Sequence, residues 1–252
     1  MENSSPSQTS LDSPIALAPD AFPAGPSIAA LLGLIGLSVV VAVVSIIAYI
    51  AAHHGIASVK NVPISFLLSV QVVMDLCWVA YLVVVLPALS KRPLRDLGFR
   101  TPTLNQIGIA LAGAVIMIVV VNGLGSLIDA ALHTKHQQEA IKLFLSVRDP
   151  LTKAGFALLA CVVAPIAEEM TFRVFIFNAL RSRGFWPAAI VSGIFFGLAH
   201  LDKYAFVPLI LGGIVLCGVY ARSRNAWMSM ITHACFNAVS LIALYAAPQL
   251  TK

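Results

Sequence analysis

The sequence predicts an all-helical protein that crosses a membrane several times, and three observations support this fold class. Hydrophobic residues make up 59% of the 252 residues and charged residues only 11%, whereas a soluble domain has roughly half and a quarter. So few charges cannot cover the surface of a soluble core of this size. The apolar residues form continuous runs, without the alternation that is typical of outer-membrane strands. The four cysteines lie within these runs, which argues against a disulfide-stapled module.

Seven apolar runs are each predicted to form a helix. The first is free of charged residues and, at about 1.5 Å per residue, is long enough to cross the hydrocarbon of a bilayer. The fifth is short and contains Gly193-Ile-Phe-Phe-Gly197, a spacing of small residues that lets helices pack closely. The runs are Ile28 to Ala52, Ile64 to Leu89, Ile107 to Leu132, Ala154 to Leu180, Trp186 to His200, Tyr204 to Ala221 and Ala226 to Ala247.

Residues 1 to 26 are predicted to be a disordered N-terminal tail, and residues 27 to 252 a single transmembrane domain. The tail is rich in Ser and Pro, has no Lys or Arg and shows no apolar periodicity. It lacks the basic start and the short apolar core of a cleavable signal peptide. We therefore expect the first helix to be retained as a membrane anchor.

The distribution of Lys and Arg favours an N-terminus inside the cell and a C-terminus outside. In this orientation the inner segments hold eight basic residues and the outer segments seven. The margin widens to eight against three if residues 133 to 153 form an interfacial helix, with Ile141, Phe144 and Leu145 on its apolar face. Because the basic residues are spread over short loops, the net charge of +5 predicts no nucleic-acid partner. The inner residues are Lys91, Arg92, Arg95, Arg100, Arg181, Arg183, Arg222 and Arg224.

The fourth helix carries an unusual set of charges, Glu168, Glu169 and Arg173, which lipid disfavours unless they are paired or hydrated. Glu169 and Arg173 are spaced i, i+4 and can form an ion pair. Glu168 faces another way and lacks that partner, so it is a candidate for proton transfer. Pro165 removes a helical hydrogen bond, which predicts a kink beside Glu168. For this motif alone, a purely structural salt-bridge network is an equally good interpretation.

Three further polar groups are predicted to reach the same depth in the membrane. His200 ends the fifth run, and His233 and Asn237 share one face of the seventh. At the helical rise per residue, these groups and Glu168 all lie about 12 to 21 Å from the same membrane face. Three helices thus offer a carboxylate, two imidazoles and an amide to one cavity, which indicates a functional site. For Asp75, in the second helix, we prefer a structural role, as an interhelical hydrogen bond or a neutral acid, over a functional one.

The motifs Glu168-Glu169-x-x-x-Arg173, Phe196-x-x-x-His200 and His233-x-x-x-Asn237 resemble, in this order, the signatures of a family of intramembrane proteases. This is the CAAX prenyl endopeptidase and bacteriocin-processing family, and the resemblance covers about residues 60 to 247. It implies about eight helices around a polar cavity open to the cytosol. Our count is seven, so the segment 133 to 153 is where a further helix is expected. The implied activity is hydrolysis of a peptide bond near the C-terminus of a membrane-associated substrate, prenylated in the eukaryotic members.

The resemblance also implies a role for each catalytic residue. Glu168 is the general base that activates water, and His200 helps to hold that water and to move its proton. His233 and Asn237 stabilise the oxyanion of the tetrahedral intermediate. An amide hydrolase needs such a base and such donors, so these roles agree with the chemistry of the residues.

Other residues of the motifs are expected to support the site. Glu169 and Arg173 would fix the geometry of the first motif, and Phe196 and Phe172 are expected to contact substrate. No cofactor is expected, although two histidines and a glutamate could hold zinc with a position left for water. The absence of a His-Glu-x-x-His motif, and the presence of Asn237 as the fourth group, favour the metal-free mechanism.

A different class of protein remains as an alternative, namely a non-catalytic peptide-binding or lipid-binding membrane protein, or a transporter with a proton relay. A relay needs titratable groups in series, whereas a hydrolase needs a base and oxyanion donors that converge. The equal depth of the four groups favours convergence. The expected partners are the lipid bilayer and a membrane-associated peptide, and the expected location is the plasma (inner) membrane with the cavity facing the cytoplasm.

Overall fold

The computed structural model describes residues 22–53, 62–133 and 139–246, and within these ranges all regular secondary structure is helical, without strands. The predicted all-helical class is therefore confirmed. Residues 1 to 21 of the predicted tail lie outside the described residues. The helices are α1 (Ala24–Ala52), α2 (Ile64–Ser90), α3 (Leu104–Ala131), α4 (Glu139–Ser146), α5 (Pro150–Arg183), α6 (Phe185–Ala199), α7 (Phe206–Ser223) and α8 (Ala226–Ala246).

Six of the described helices are long and apolar enough to cross a membrane, namely α1, α2, α3, α5, α7 and α8. Helix α6 is apolar but has only 15 residues. These seven correspond to the seven predicted runs, which makes the chain a polytopic membrane protein. Most helix boundaries differ from the predicted ones, by up to four residues. Helix α1 begins at Ala24 instead of Ile28, because a helix tolerates Pro26 in its first turn. Helix α7 begins at Phe206 instead of Tyr204, because the Asp202 carboxylate accepts hydrogen bonds from the amides of Tyr204 and Ala205 and holds them in a turn.

The connection between α3 and α5 contains the short helix α4. With 8 residues it reaches only about 12 Å and is too short to span a bilayer. Its Phe144 is buried against Phe156, with ring centroids 5.3 Å apart. The connection is therefore helical, as we predicted, but Phe144 packs on the protein.

Helix α5 changes its hydrogen-bonding pattern around the predicted kink at Pro165. Wide π-helical turns run over Leu159–Val163 and Met170–Phe177, and they flank an ordinary α-helical segment, Ala164–Glu169. A wider turn accommodates the missing amide of Pro165 without breaking the helix. The two glutamates thus lie in a short segment bounded by π-helical turns, a feature that is frequent at functional sites.

Helices α6 and α7 pack in close contact through glycines. A Cβ atom on Gly193 would lie 2.7 Å from the carbonyl oxygen of Ile210, and one on Gly213 would lie 2.8 Å from the Cα atom of Gly193. Both distances are shorter than real contacts allow, so only glycine fits. The close packing that we predicted from the Gly193 and Gly197 spacing is confirmed.

Buried hydrogen bonds join three basic loops at one end of the bundle. The Tyr220 hydroxyl donates to the carbonyl of Leu97 and accepts from the Asn178 amide. The Asn225 amide donates to the carbonyl of Arg100, at 2.9 Å. The loops after α2, α5 and α7, which carry the basic residues that we assigned to the inner side, therefore lie together on one face.

Candidate active site

A cavity of about 380 Å³ lies inside the helical bundle. Among its lining residues are Glu168, His200, His233 and Asn237. The structure therefore brings the four predicted catalytic residues together from α5, α6 and α8. A volume of this size is within the usual range of ligand pockets.

The ion pair predicted between Glu169 and Arg173 is present and fully buried. The Arg173 Nη1 and Glu169 Oε1 atoms are 3.0 Å apart, and both side chains have 0% exposure. Arg173 also donates a hydrogen bond from Nη2 to the carbonyl of Gly213 on α7, at 3.3 Å. Its guanidinium lies 4.4 Å from the centroid of the Phe196 ring. A buried cation that is paired, hydrogen bonded and stacked on an aromatic ring fixes the mutual positions of α5, α6 and α7.

His233 lies between the two glutamates. Its Nδ1 is 3.1 Å from Glu169 Oε1, and its Nε2 is 3.9 Å from Glu168 Oε2. A carboxylate that is paired with Arg173 accepts hydrogen bonds, so Nδ1 of His233 carries a proton. The other ring nitrogen, Nε2, is then left on the side of Glu168.

Glu168 differs from Glu169 in that it opens to the cavity. Its side chain has 24% exposure, and Oε2 has no hydrogen-bond partner among the described residues. Oε2 itself is buried, so it is the remainder of the side chain that faces the cavity, and a carboxylate that is partly exposed in this way can accept a proton from water. The predicted difference between the two adjacent glutamates is therefore present in their geometry.

His200 and Asn237 are each held by one backbone carbonyl. The His200 Nδ1 lies 2.8 Å from the carbonyl oxygen of Phe196, which fixes the proton on Nδ1 and leaves Nε2 as an acceptor. The Asn237 amide donates to the carbonyl of Ala160 in the first π-helical segment, at 2.7 Å. This bond uses one of two amide hydrogens, so the second remains for a ligand.

The two phenylalanines predicted to contact substrate occupy different places. Phe196 lines the cavity, whereas Phe172 is not among its lining residues. Phe172 is buried and packs edge-on against Phe196, with ring centroids 5.4 Å apart. The structure therefore places Phe172 behind Phe196, as support for that ring, because a π-helical turn rotates the side chains that follow Met170 away from the positions of an α-helix.

Sequence reasoning missed several residues of the cavity. Asn122 of α3, Ser240 of α8 and Ile141 of α4 also line it. Asn122 is an amide within an otherwise apolar run, and this was the signal that could have found it. Ile141 shows that α4 forms part of the cavity wall.

Asp75 of α2 is buried and forms its hydrogen bond within its own helix, so of the two structural roles that we predicted only the interhelical hydrogen bond is absent among the described residues. Its Oδ1 accepts a hydrogen bond from Gln71 of the same helix, at 2.9 Å, so this bond is not the interhelical one that we expected. Asp75 has only 3% exposure, and its Oδ2 has no partner within the described part of the chain. It acts electrostatically on Glu168, and the i, i+4 spacing of Gln71 and Asp75 was the overlooked signal.

Comparisons with known proteins show similarity to peptidases. Residues 150–239 match the family model described as Type II CAAX prenyl endopeptidase Rce1-like. The chain is 28% identical over 170 residues to the Bacillus subtilis (strain 168) protein named "Putative membrane peptidase YdiL". That alignment covers 66% of this chain and 68% of the relative. No solved structure matches the chain.

Proposed function

Because the chain belongs to the CAAX prenyl endopeptidase and bacteriocin-processing family of intramembrane proteases, we propose that it hydrolyses a peptide bond near the C-terminus of a membrane-associated protein. One observation carries this proposal: Glu168, His200, His233 and Asn237 converge on one cavity within the bundle. A base and several hydrogen-bond donors around one point are what amide hydrolysis requires. A proton relay would instead need these groups in series.

In the first step Glu168 removes a proton from a water molecule, and the water oxygen forms a bond to the carbonyl carbon of the substrate. The partial exposure of the Glu168 side chain and its place in the cavity wall support this role. With Nδ1 bound to a carbonyl, His200 has Nε2 as an acceptor for the second hydrogen of that water. The two residues together orient the nucleophile.

The oxyanion formed in this step is stabilised by His233 and Asn237. Asn237 donates its second amide hydrogen, and His233, whose Nδ1 is bound to Glu169, donates from Nε2 when that nitrogen also carries a proton. The proton taken by Glu168 then moves to the amide nitrogen of the leaving group, and the carbon–nitrogen bond breaks. Donors held in place before the reaction need no reorganisation when the charge appears.

Glu169 and Arg173 position these groups without contacting substrate. Glu169 holds the imidazole of His233, and Arg173 holds Glu169, stacks on Phe196 and bonds to α7. Phe196 forms part of the cavity wall and is proposed to contact the substrate chain.

We propose that the reaction uses no metal. Within residues 22–53, 62–133 and 139–246, no three His, Cys, Asp or Glu side chains are placed to share a metal ion. Asn237, the fourth polar group, is an uncommon zinc ligand but a good oxyanion donor. Zinc held by Glu168, His200 and His233 is the alternative, and it predicts stoichiometric zinc and loss of activity on chelation.

The cavity is proposed to face the cytoplasm from the plasma (inner) membrane. This orientation follows the family resemblance and not the loop charges, because the cavity is lined by His200 at the end of α6 and by Leu244 near the end of α8, toward the opposite end of the bundle from the basic loops. The substrate is proposed to be a peptide held at the membrane by its own apolar or lipid-modified segment, since the cavity lies within the bundle.

The proposal is tested with purified full-length protein in bilayer vesicles and a fluorogenic peptide whose C-terminal segment carries a farnesylated cysteine. The same peptide without the farnesyl group measures the need for a lipid anchor. Wild type is expected to cleave, and Glu168→Gln is expected to lose activity by about 10² to 10⁴ fold. Equal cleavage by both proteins would exclude Glu168 as the base.

The metal question is tested with the same assay. Preincubation with a chelator and metal analysis of the purified protein are expected to show unchanged activity without stoichiometric zinc. Activity that disappears on chelation and returns with zinc would establish the metal-dependent alternative.

A further inference from the structure

A second cavity, of about 550 Å³, is lined on α5 by residues from Phe175 to Arg183, which follow the catalytic Glu168 along the helix. It is formed by the start of α1, the end of α5 and the middle of α6. Its lining residues and those of the catalytic cavity do not overlap. The two cavities meet α6 at adjacent residues: Phe195 lines the second cavity, and Phe196 lines the catalytic cavity. This cavity therefore has no part in the proposed reaction.

The second cavity is polar at one end and apolar beyond it. Ser182 and Arg183 line it at the end of α5, where the basic loops gather, and Ser27 lines it one turn inside α1. Ile176 and Leu31 line the deeper part, about 10 Å from the ends of their helices. The cavity thus runs from the membrane boundary into the hydrocarbon. Its long direction is parallel to that of a lipid molecule in the same leaflet.

Two polar groups in this cavity have no partner within residues 22–53, 62–133 and 139–246. The Ser27 side chain is buried, at 8% exposure, and its hydroxyl has no hydrogen-bond partner among the described residues. A buried hydroxyl without a partner is unfavourable, so an acceptor is expected beside it. Arg183 forms no ion pair with any described carboxylate, and a guanidinium binds phosphate well because it presents several donors in one plane.

We propose that this cavity is a binding site for one phospholipid with a net negative headgroup. The phosphate lies at Arg183, an ester carbonyl accepts from the Ser27 hydroxyl, and an acyl chain runs along Ile176 and Phe195. The apolar wall provides little preference of its own, because the same chain is equally well dissolved in the bilayer. Selection between lipids therefore depends on the polar end, where the basic loops favour an anionic headgroup over a zwitterionic one.

The experiment is native mass spectrometry of the full-length protein released from micelles that contain palmitoyl-oleoyl phosphatidylglycerol or palmitoyl-oleoyl phosphatidylcholine. Both lipids offer a phosphate to Arg183, but phosphatidylcholine adds a cationic choline group beside the basic loops. Wild type is therefore expected to retain one phosphatidylglycerol about fivefold more tightly than one phosphatidylcholine. Arg183→Gln is expected to lose this preference. Arg222→Gln changes an exposed arginine on the same face that does not line the cavity, and it is expected to behave like wild type.

A second variant tests the cavity itself. Ala179→Trp places a large ring in the lining and is expected to prevent retention of either lipid, with circular dichroism as the check that the helices are intact. Equal retention of the two lipids by wild type would overturn the proposal, as would equal effects of Arg183→Gln and Arg222→Gln, or full retention by a folded Ala179→Trp variant. Because the readout is binding, Glu168→Gln is expected to retain lipid normally, so the result is independent of the proposed proteolysis.

Discussion

The charged site of this protein has a closed region and an open region, and they begin at adjacent residues of α5. In the closed region Glu169 and Arg173 are fully buried and paired at 3.0 Å. In the open region Glu168 has 24% exposure and an oxygen without a partner among the described residues. His233 contacts both regions. The difference indicates that the buried ion pair holds the geometry, while the adjacent carboxylate remains available for chemistry.

The largest effect on folding is expected in the closed region. Arg173→Met leaves the Glu169 carboxylate buried without its counter-charge, and breaking such a pair costs about 3 to 5 kcal/mol of the free energy of unfolding. The measurement is unfolding in mixed detergent micelles followed by circular dichroism. Arg100→Met is a matched control, because Arg100 and Asp96 form an i, i+4 pair whose side chains are 38% and 43% exposed. Arg100→Met should lower the free energy of unfolding by less than about 1 kcal/mol. Equal losses in the two variants would contradict the conclusion that the buried Glu169–Arg173 pair holds the structure.

The next effect is expected in the open region and concerns the rate of cleavage. Asn237→Ala removes a proposed oxyanion donor, which is expected to lower kcat by about 10² to 10³ fold with a smaller change in KM. Ser240→Ala serves as the control, since Ser240 lines the same cavity one turn away and has no proposed role. An unchanged kcat in Asn237→Ala would remove this residue from the mechanism.

A moderate effect is expected where the closed region depends on glycine packing. Gly193→Ala would force α7 away from α6, and with it the Gly213 carbonyl that accepts from Arg173. Overpacking of this kind costs about 1 to 3 kcal/mol of the free energy of unfolding. Gly108→Ala, in α3, has no atom within 4 Å of the added Cβ and is expected to be neutral or slightly stabilising. Equal free energies of unfolding for the two variants would show that the packing of α6 against α7 does not require glycine at position 193.

The smallest effect is expected at the end of the bundle where the basic loops meet. Tyr220→Phe removes the hydroxyl that donates to the Leu97 carbonyl and accepts from Asn178. The expected loss is about 1 kcal/mol in the free energy of unfolding, with cleavage unchanged. A strong loss of cleavage in this variant would contradict this expectation, because it would show that the contacts between the basic loops affect the catalytic cavity.

Much of the fold follows from the sequence, because lipid permits only segments whose backbone groups are satisfied internally. The seven apolar runs therefore became helices, and the i, i+4 spacing of Glu169 and Arg173 became an ion pair. The depth of the four polar groups was predictable for the same reason, since the helical rise is nearly constant.

The details that the sequence did not predict depend on departures from the regular helix and on contacts between helices. The π-helical turns of α5 change which side chains face the cavity, which is why Phe172 lies behind Phe196. The cavity-lining positions of Asn122 and Ile141 depend on how α3 and α4 pack, and no spacing within one helix reports that.

The most direct test of the central claim compares Glu168→Gln with Glu169→Gln, two equal changes in volume at adjacent positions. Each variant is measured for cleavage of the farnesylated peptide and for its free energy of unfolding. Glu168→Gln is expected to lose cleavage by about 10² to 10⁴ fold while its stability stays close to wild type. Glu169→Gln is expected to lose several kcal/mol of stability because Arg173 is left buried without a counter-charge. A Glu168→Gln variant that cleaves like wild type, or that is destabilised as much as Glu169→Gln, would contradict the division between an open catalytic region and a closed supporting one.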